Sequence, residues 1–177
     1  NIIESNDIID SAGTGIYCVA SSTNHFIGNK IEGSTSGIYI NSNGDSNEFR
    51  ENIIKDSGNI GVFIANSDCE NNIFIQNSFI QNTRHVNDLG TDNYYNNSVI
   101  GNYWDNYTGI DANDDRIGDT IHLVQLSTMI YDYLPIWHDG FDIPAPIHVN
   151  NNWTETVATY DWVTGSGTWG DPYLIED

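Results

Sequence analysis

Residue types and spacing come closest to a defined chemistry between Asp111 and Asp119, where the chain reads Asp-Ala-Asn-Asp-Asp-Arg-Ile-Gly-Asp. Side-chain oxygens at Asp111, Asn113, Asp115 and Asp119, with the Ile117 carbonyl between them, fall at alternate positions. That is the spacing that wraps oxygen ligands around Ca²⁺. Arg116 stands where an EF-hand needs glycine, and His122 where it needs a bidentate glutamate, so the loop is not an EF-hand. It is expected to be a shorter Ca²⁺ loop of the extracellular kind, with a structural role. The competing reading is a loop of Asx turns in which Arg116 neutralises Asp114 or Asp119.

Other reactive residues are scattered. His25, His85, His122, His138 and His148 show no metal-site spacing, and with a single Met there is no cluster of soft donors for copper. Cys18 replaces an inward Ile and reads as an inert buried thiol. Cys69 falls at a bend about two coils further on, roughly 10 Å along the axis, too far from Cys18 for a disulfide but open to an intermolecular bond. Glycosidic cleavage needs carboxylates on neighbouring positions of one face, and elimination from a uronate needs an Arg or Lys base. The five basic residues Lys30, Arg50, Lys55, Arg84 and Arg116 form no cluster. No catalytic residue is therefore assigned. Tyr17, Tyr39 and Phe63 each follow an inward Ile or Val, so they are expected to point outward in a line, as a sugar platform, a subunit contact or a strip covered by a loop.

Composition narrows the function classes. Across 177 residues, 25 acidic and 5 basic side chains give a charge of −20, which disfavours phosphate backbones and anionic membrane surfaces as partners. No apolar run is long enough to span a bilayer. Much of the polarity comes from 24 Asn, and 38% hydrophobic residues are enough to build a core.

The elements that must position these residues are set by a repeat. Asn1 to Ile8, Asn24 to Ile31, Asn47 to Ile54 and Asn72 to Phe79 share the pattern N-x-[IF]-x-x-N-x-[IF], and Asn97 to Trp104 reads as a fifth copy, at steps of 23, 23, 25 and 25 residues. Short period-2 apolar runs separated by Asn, Gly, Ser and Asp mark short strands and tight bends. Asn6, Asn29, Asn52, Asn77 and Asn102 are expected at one repeated bend, because Asn tolerates the left-handed backbone region, and their amides can stack as a ladder. Ile3, Phe26, Phe49, Phe74 and Val99 form one expected inward column; Ile8, Ile31, Ile54, Phe79 and Trp104 form the other. Isolated coils could not bury these faces, whereas stacked coils can. The expected fold is all-β, a right-handed parallel β-helix of about five coils over residues 1–104. An acidic loop and strand (105–126), a Pro-rich extended connector (127–149) and a Trp-rich β extension (150–177) follow.

These coils, with the segment Gly101-Asn102-Tyr103-Trp104-Asp105 leading into the acidic loop, resemble the NosD-type parallel β-helix repeat proteins found among archaeal secreted and surface proteins. The tail from Gly165 to Asp177 resembles the strand that usually opens such a β-helix. The resemblance implies the fold and includes the acidic loop. It does not transfer an activity, although NosD proteins are associated with copper-enzyme maturation.

The sequence begins within a coil and ends on a strand of the kind that precedes one, and coil one shows no polar cap over Ile2, Ile3, Ile8 and Ile9. This gives two alternatives: one repeat of a larger protein, or a head-to-tail contact between copies. Three sequons, Asn96, Asn106 and Asn152, fit a secreted glycoprotein, though an Asn-rich chain also produces them by chance. The expected function is a non-catalytic extracellular structural protein, assembling with itself in a surface filament, sheath or layer. The alternative is a carbohydrate-binding or polysaccharide-processing β-helix.

Overall fold

A computed structural model describes residues 1–137 and the backbone of two short strands, Val163–Thr164 and Leu174–Ile175. Three strands make each coil. The first coil holds β1 (Ile2–Glu4), β2 (Asp7–Ile9) and β3 (Thr14–Val19). The second holds β4 (His25–Ile27), β5 (Lys30–Glu32) and β6 (Ser36–Asn41). In the third are β7 (Glu48–Arg50), β8 (Ile53–Lys55) and β9 (Ile60–Ile64), and in the fourth β10 (Ile73–Ile75), β11 (Ser78–Ile80) and β12 (Val86–Asp88). A partial fifth coil adds β13 (Tyr103–Trp104). Equivalent strands pair in parallel to give three sheets, β1-β4-β7-β10, β2-β5-β8-β11-β13 and β3-β6-β9-β12. The fold is a parallel β-solenoid of four full turns, and no helix occurs among the described residues.

Why these residues make this fold is visible in the columns. Register sets Ile3 on Phe26, Phe26 on Phe49 and Phe49 on Phe74, with ring centroids of the last two pairs 4.6 and 4.7 Å apart and near parallel. Ile8, Ile31, Ile54, Phe79 and Trp104 stack likewise, Phe79 on Trp104 at 4.2 Å. One-sided burial fixes this register, because a slip of one residue would turn every apolar side chain outward. Gly15, Gly37 and Gly61 occupy one corner where the next coil passes close by. A Cβ at these positions would stand 2.8, 2.6 and 2.7 Å from the carbonyls of Gly37, Gly61 and His85.

Two expectations need correction. The left-handed bends are not at Asn6, Asn29, Asn52 and Asn77 but one residue earlier, at Ser5, Gly28, Glu51 and Gln76, with φ of 54, 60, 58 and 56°. Each Asn follows the bend and turns its side chain into the coil, so its value lies in hydrogen bonding rather than backbone tolerance. The fifth copy is also misregistered from sequence. Val99 is 70% exposed, and the ring that continues the Phe74 column is Tyr95, stacked at 5.1 Å. Asn97 instead binds the amides of Val99 and Ile100 in a surface turn.

Beyond β13 the antiparallel pair β14 (His122–Gln125) and β15 (Ile130–Asp132) belongs with the solenoid, in a compact unit of residues Asn1–His138. Residues 127–137, expected as the start of an extended connector, thus form a hairpin arm and its continuation. A second unit, Asp139–Asp177, contains the antiparallel strands β16 (Val163–Thr164) and β17 (Leu174–Ile175). The remainder of the Pro-rich and Trp-rich segments, with Asn152, His138 and His148, lies outside the described residues.

Candidate functional site

The acidic loop lies between β13 and β14. Asp111 accepts the amides of Arg116 at 2.7 Å and Asp115 at 3.3 Å, and Asp119 accepts the Ala112 amide at 2.7 Å. Asp115 takes the Ile117 amide and the Asn113 carboxamide. The loop is anchored behind: Trp137 N donates to Arg116 O, Gly118 N to Pro135 O, and Tyr107 Oη bonds the Thr120 carbonyl. All the expected ligands therefore share one exposed loop, with carboxylates engaged by its own amides, the Asp115 bond to Ile117 N as an Asx turn and those of Asp111 and Asp119 as longer closures. Among the described residues no group of three or more His, Cys, Asp or Glu converges as a metal site.

The outward aromatic strip forms as expected on the third sheet. Tyr17 and Tyr39 stack at 5.0 Å and 13°, while Phe63 meets Tyr39 edge-on at 5.2 Å and 84°. Tyr17 is 65% exposed, and the other two are half-buried. Along this strip the inner rings spend a face on one another.

The solenoid interior carries the densest polar chemistry. In the expected ladder each Asn donates its backbone N–H and its Nδ2 to the Oδ1 of the next, from Asn6 through Asn29, Asn52 and Asn77 to Asn102, at 2.9–3.1 Å. A second, parallel ladder runs Asn1, Asn24, Asn47, Asn72, Asn93. Its signal was present in sequence as the leading Asn of the first four copies, but only the second Asn was read as a column. Both ladders end on buried carboxylates. Asp132 accepts Asn102 N at 2.7 Å, Trp104 Nε1 at 2.9 Å and Leu134 N at 3.0 Å. Asp88 accepts Asn93 Nδ2 at 3.1 Å and the Tyr95 hydroxyl at 3.0 Å, and Gln125 bonds both backbone groups of Asp88. Burial pushes both carboxyls above the usual carboxylate range, against the lowering effect of these donors. No repeat signal marks Asp132, because it arrives on the antiparallel arm. At a third corner Ser34 and Ser57 stand where Asn82 stands one coil later, and their hydroxyls are buried without partners.

Trp104 is the hub of the C-terminal closure. Phe79 covers one face, His122 stacks on it at 5.0 Å, and His85 approaches edge-on at 5.8 Å. Burial lowers His122 to about 4, with a further push from His85. His85 is also lowered by burial, opposed by Asp105, whose carboxylate lies 2.9 Å from its Nε2.

Stacked parallel coils with amide-laddered corners define the class as a parallel β-helix repeat protein. Residues 1–109 match the family described as "NosD: Periplasmic copper-binding protein", and the chain belongs to that family. No curated protein and no solved structure matches the chain. The family description raises the question of copper, which prefers clustered thiolate, thioether or imidazole donors. Here Cys18 and Cys69 are buried, unpaired thiols pushed up by burial, and full enclosure closes Cys69 to an intermolecular disulfide. Met129 is exposed and alone, His25 is bound to Glu48 at 2.9 Å, and His85 to Asp105. The described residues do not fit a copper ion.

Proposed function

We propose that the chain is a non-catalytic structural module that works outside the cytoplasm and assembles head to tail, residues 150–177 of one copy covering the first coil of the next in a surface filament, sheath or layer. One observation carries this reading. The first coil leaves its inward Ile3 and Ile8 only half-buried on strands with an unpaired side, although the later members of both columns are buried, while the opposite end of the solenoid is covered by β14 and β15. An open apolar edge of this kind is a template for further strands. The periplasmic description of the family supports the location. In this reading Ca²⁺ binds the loop of Asp111, Asn113, Asp115, Ile117 and Asp119 and stiffens the join between coils and cap, and the sequons at Asn96, Asn106 and Asn152 carry glycans.

Sedimentation velocity and electron microscopy of the full chain test the assembly. Concentration-dependent polymers are expected, and Glu4→Pro with Ile9→Pro, which removes two edge N–H groups that face away from the second coil, should leave a folded monomer. A wild-type chain that stays monomeric at every concentration reached, with or without Ca²⁺, refutes it. The carbohydrate reading has less support. A sugar ring stacks on an open aromatic face, and Tyr17 and Tyr39 direct faces at each other.

A further inference from the structure

Each inner coil turns three corners in the same way, a residue in the left-handed backbone region followed by a polar residue that faces the interior. At two corners that polar residue is the Asn of a ladder. At the third the bend falls on Asp10, Gly33, Asp56 and Gln81, and Ser11, Ser34, Ser57 and Asn82 follow.

Asn52, Asn77 and Asn82 show what a carboxamide does at such a corner. Its Oδ1 accepts the N–H of the interior residue one coil earlier, and its Nδ2 donates to the carbonyl three residues before that one. The pairs are Asn29 N with Phe26 O for Asn52, Asn52 N with Phe49 O for Asn77, and Ser57 N with Ile54 O for Asn82. Ser34 and Ser57 stand in the same register but lack the amide oxygen and nitrogen. The backbone groups such an amide would serve are Ser34 N and Ile31 O at Ser57, and Ser11 N and Ile8 O at Ser34. Among the described residues no acceptor takes the Ser34 or Ser11 N–H. The hydroxyls of Ser34 and Ser57, on residues 1% and 2% exposed, have no partner either. Gly15 and Gly37 line the corner, where a Cβ would stand 3.1 and 3.2 Å from these hydroxyls, as one on Gly61 would stand 3.2 Å from the Asn82 amide nitrogen.

We propose that each of these two serine corners binds one water molecule, which completes a third ladder. At Ser57 the water accepts the Ser34 N–H, donates to the Ile31 carbonyl and bonds the Ser57 hydroxyl. At Ser34 a second water serves Ser11 N, Ile8 O and the Ser34 hydroxyl in the same way. Each thus makes three hydrogen bonds, the usual number for a water buried in a protein, and relieves a donor and a hydroxyl that are costly to bury alone. The opposite case is a dry corner closed by the Ile31 and Ile54 methyls, which lie over Gly15 and Gly37.

A high-resolution crystal structure of the full chain tests the site. It should show an ordered peak within hydrogen-bond distance of Ser34 N, Ile31 O and Ser57 Oγ, and a second at Ser11 N, Ile8 O and Ser34 Oγ. In the Ser57→Asn chain the first peak should give way to the carboxamide while the second stays. Thermal melts give an independent reading in solution. With water bound, Ser57→Ala removes a hydrogen bond in use and should lower the melting temperature by roughly 2–4 °C. In a dry corner the same change removes only an orphaned hydroxyl, and the melting temperature stays or rises. No peak at Ser57, a first peak that survives Ser57→Asn, or a Ser57→Ala chain that melts no lower than its parent overturns the proposal.

Discussion

Asn52 sits in the middle of the deeper ladder, and its carboxamide makes four hydrogen bonds. Its Oδ1 accepts Asn29 N at 2.9 Å and Asn29 Nδ2 at 3.0 Å; its Nδ2 reaches Asn77 Oδ1 at 2.9 Å and Phe26 O at 2.8 Å. Replacing it with Ala keeps the backbone donation from residue 52 to Asn77 Oδ1 but strips the rest. The Asn29 N–H is then buried without a partner, which costs about 1–3 kcal/mol, and three further bonds are lost at about 1 kcal/mol each. The sum is about 4–6 kcal/mol, or a fall of roughly 8–24 °C in melting temperature for a chain of this size. Asn6→Ala is the internal control. That side chain is exposed and loses only its bonds to Asn29 and Glu4, a loss expected to be under about 1 kcal/mol. Urea unfolding followed by far-ultraviolet circular dichroism and by Trp fluorescence gives both values, and coincident transitions license the comparison. Equal losses at 6 and 52, or a loss at 52 below 1 kcal/mol, would refute the view that the ladder holds the coils together.

Three other outcomes follow from the same geometry. Gln76 holds φ at 56°, so Gln76→Asn should stabilise by roughly 0.5 kcal/mol while Gln76→Val costs more than about 1 kcal/mol, read as shifts in urea midpoint. Ser57→Asn should complete a third ladder rung with Asn82, replacing an orphaned hydroxyl by about two hydrogen bonds worth roughly 1 kcal/mol each; a lower melting temperature would mean that the corner lacks room. Acid should loosen the cap. Because His122 titrates near 4 in the fold and near 6.5 unfolded, the unfolded chain binds more protons between those values, and stability falls as pH drops through that window. His85 acts in the same direction, whereas Asp88 and Asp132, raised by burial, oppose it. After discounting for partial solvent screening the His122 contribution is about 1–2 kcal/mol. His122→Phe, which keeps the stack on Trp104, should flatten the urea midpoint between pH 7 and 4.5; an unchanged slope would assign the effect elsewhere.

Most of the solenoid was legible because its period is written in large side chains. Phe26, Phe49 and Phe74 announce a column, and Asn29, Asn52 and Asn77 a ladder, without any knowledge of the backbone. Two features resisted. The left-handed bends fall on Ser5, Glu51 and Gln76, which carry no conformational preference for that region, because tertiary hydrogen bonds on both sides impose it. The switch from Val99 to Tyr95 followed from a shortened step, 21 residues between Asn72 and Asn93, that a fixed period conceals. The closing carboxylates were the least visible. Asp88 lies at the end of an ordinary strand, and Asp132 reaches Asn102 from 30 residues away on an antiparallel arm, so nothing periodic marks either. The acidic loop was legible as a loop of oxygens, and its anchoring by Trp137 and Tyr107 was not.

The closing carboxylates have an electrostatic consequence. Carboxamides aligned head to tail along one axis add their dipoles, as peptide groups do in a helix: every ladder Oδ1 faces the first coil, and one hydrogen of each Nδ2 faces the last while the other returns to a main-chain carbonyl of the coil before. That end carries a partial positive charge and the first coil a partial negative one. Asp88 and Asp132, the buried carboxylates among the described residues, both stand at the positive end. The field of the stack thus offsets part of the cost of taking two anions out of water. Each added coil lengthens the same dipole, so the interior of the repeat acts on charge at a distance although it carries none of its own along its length.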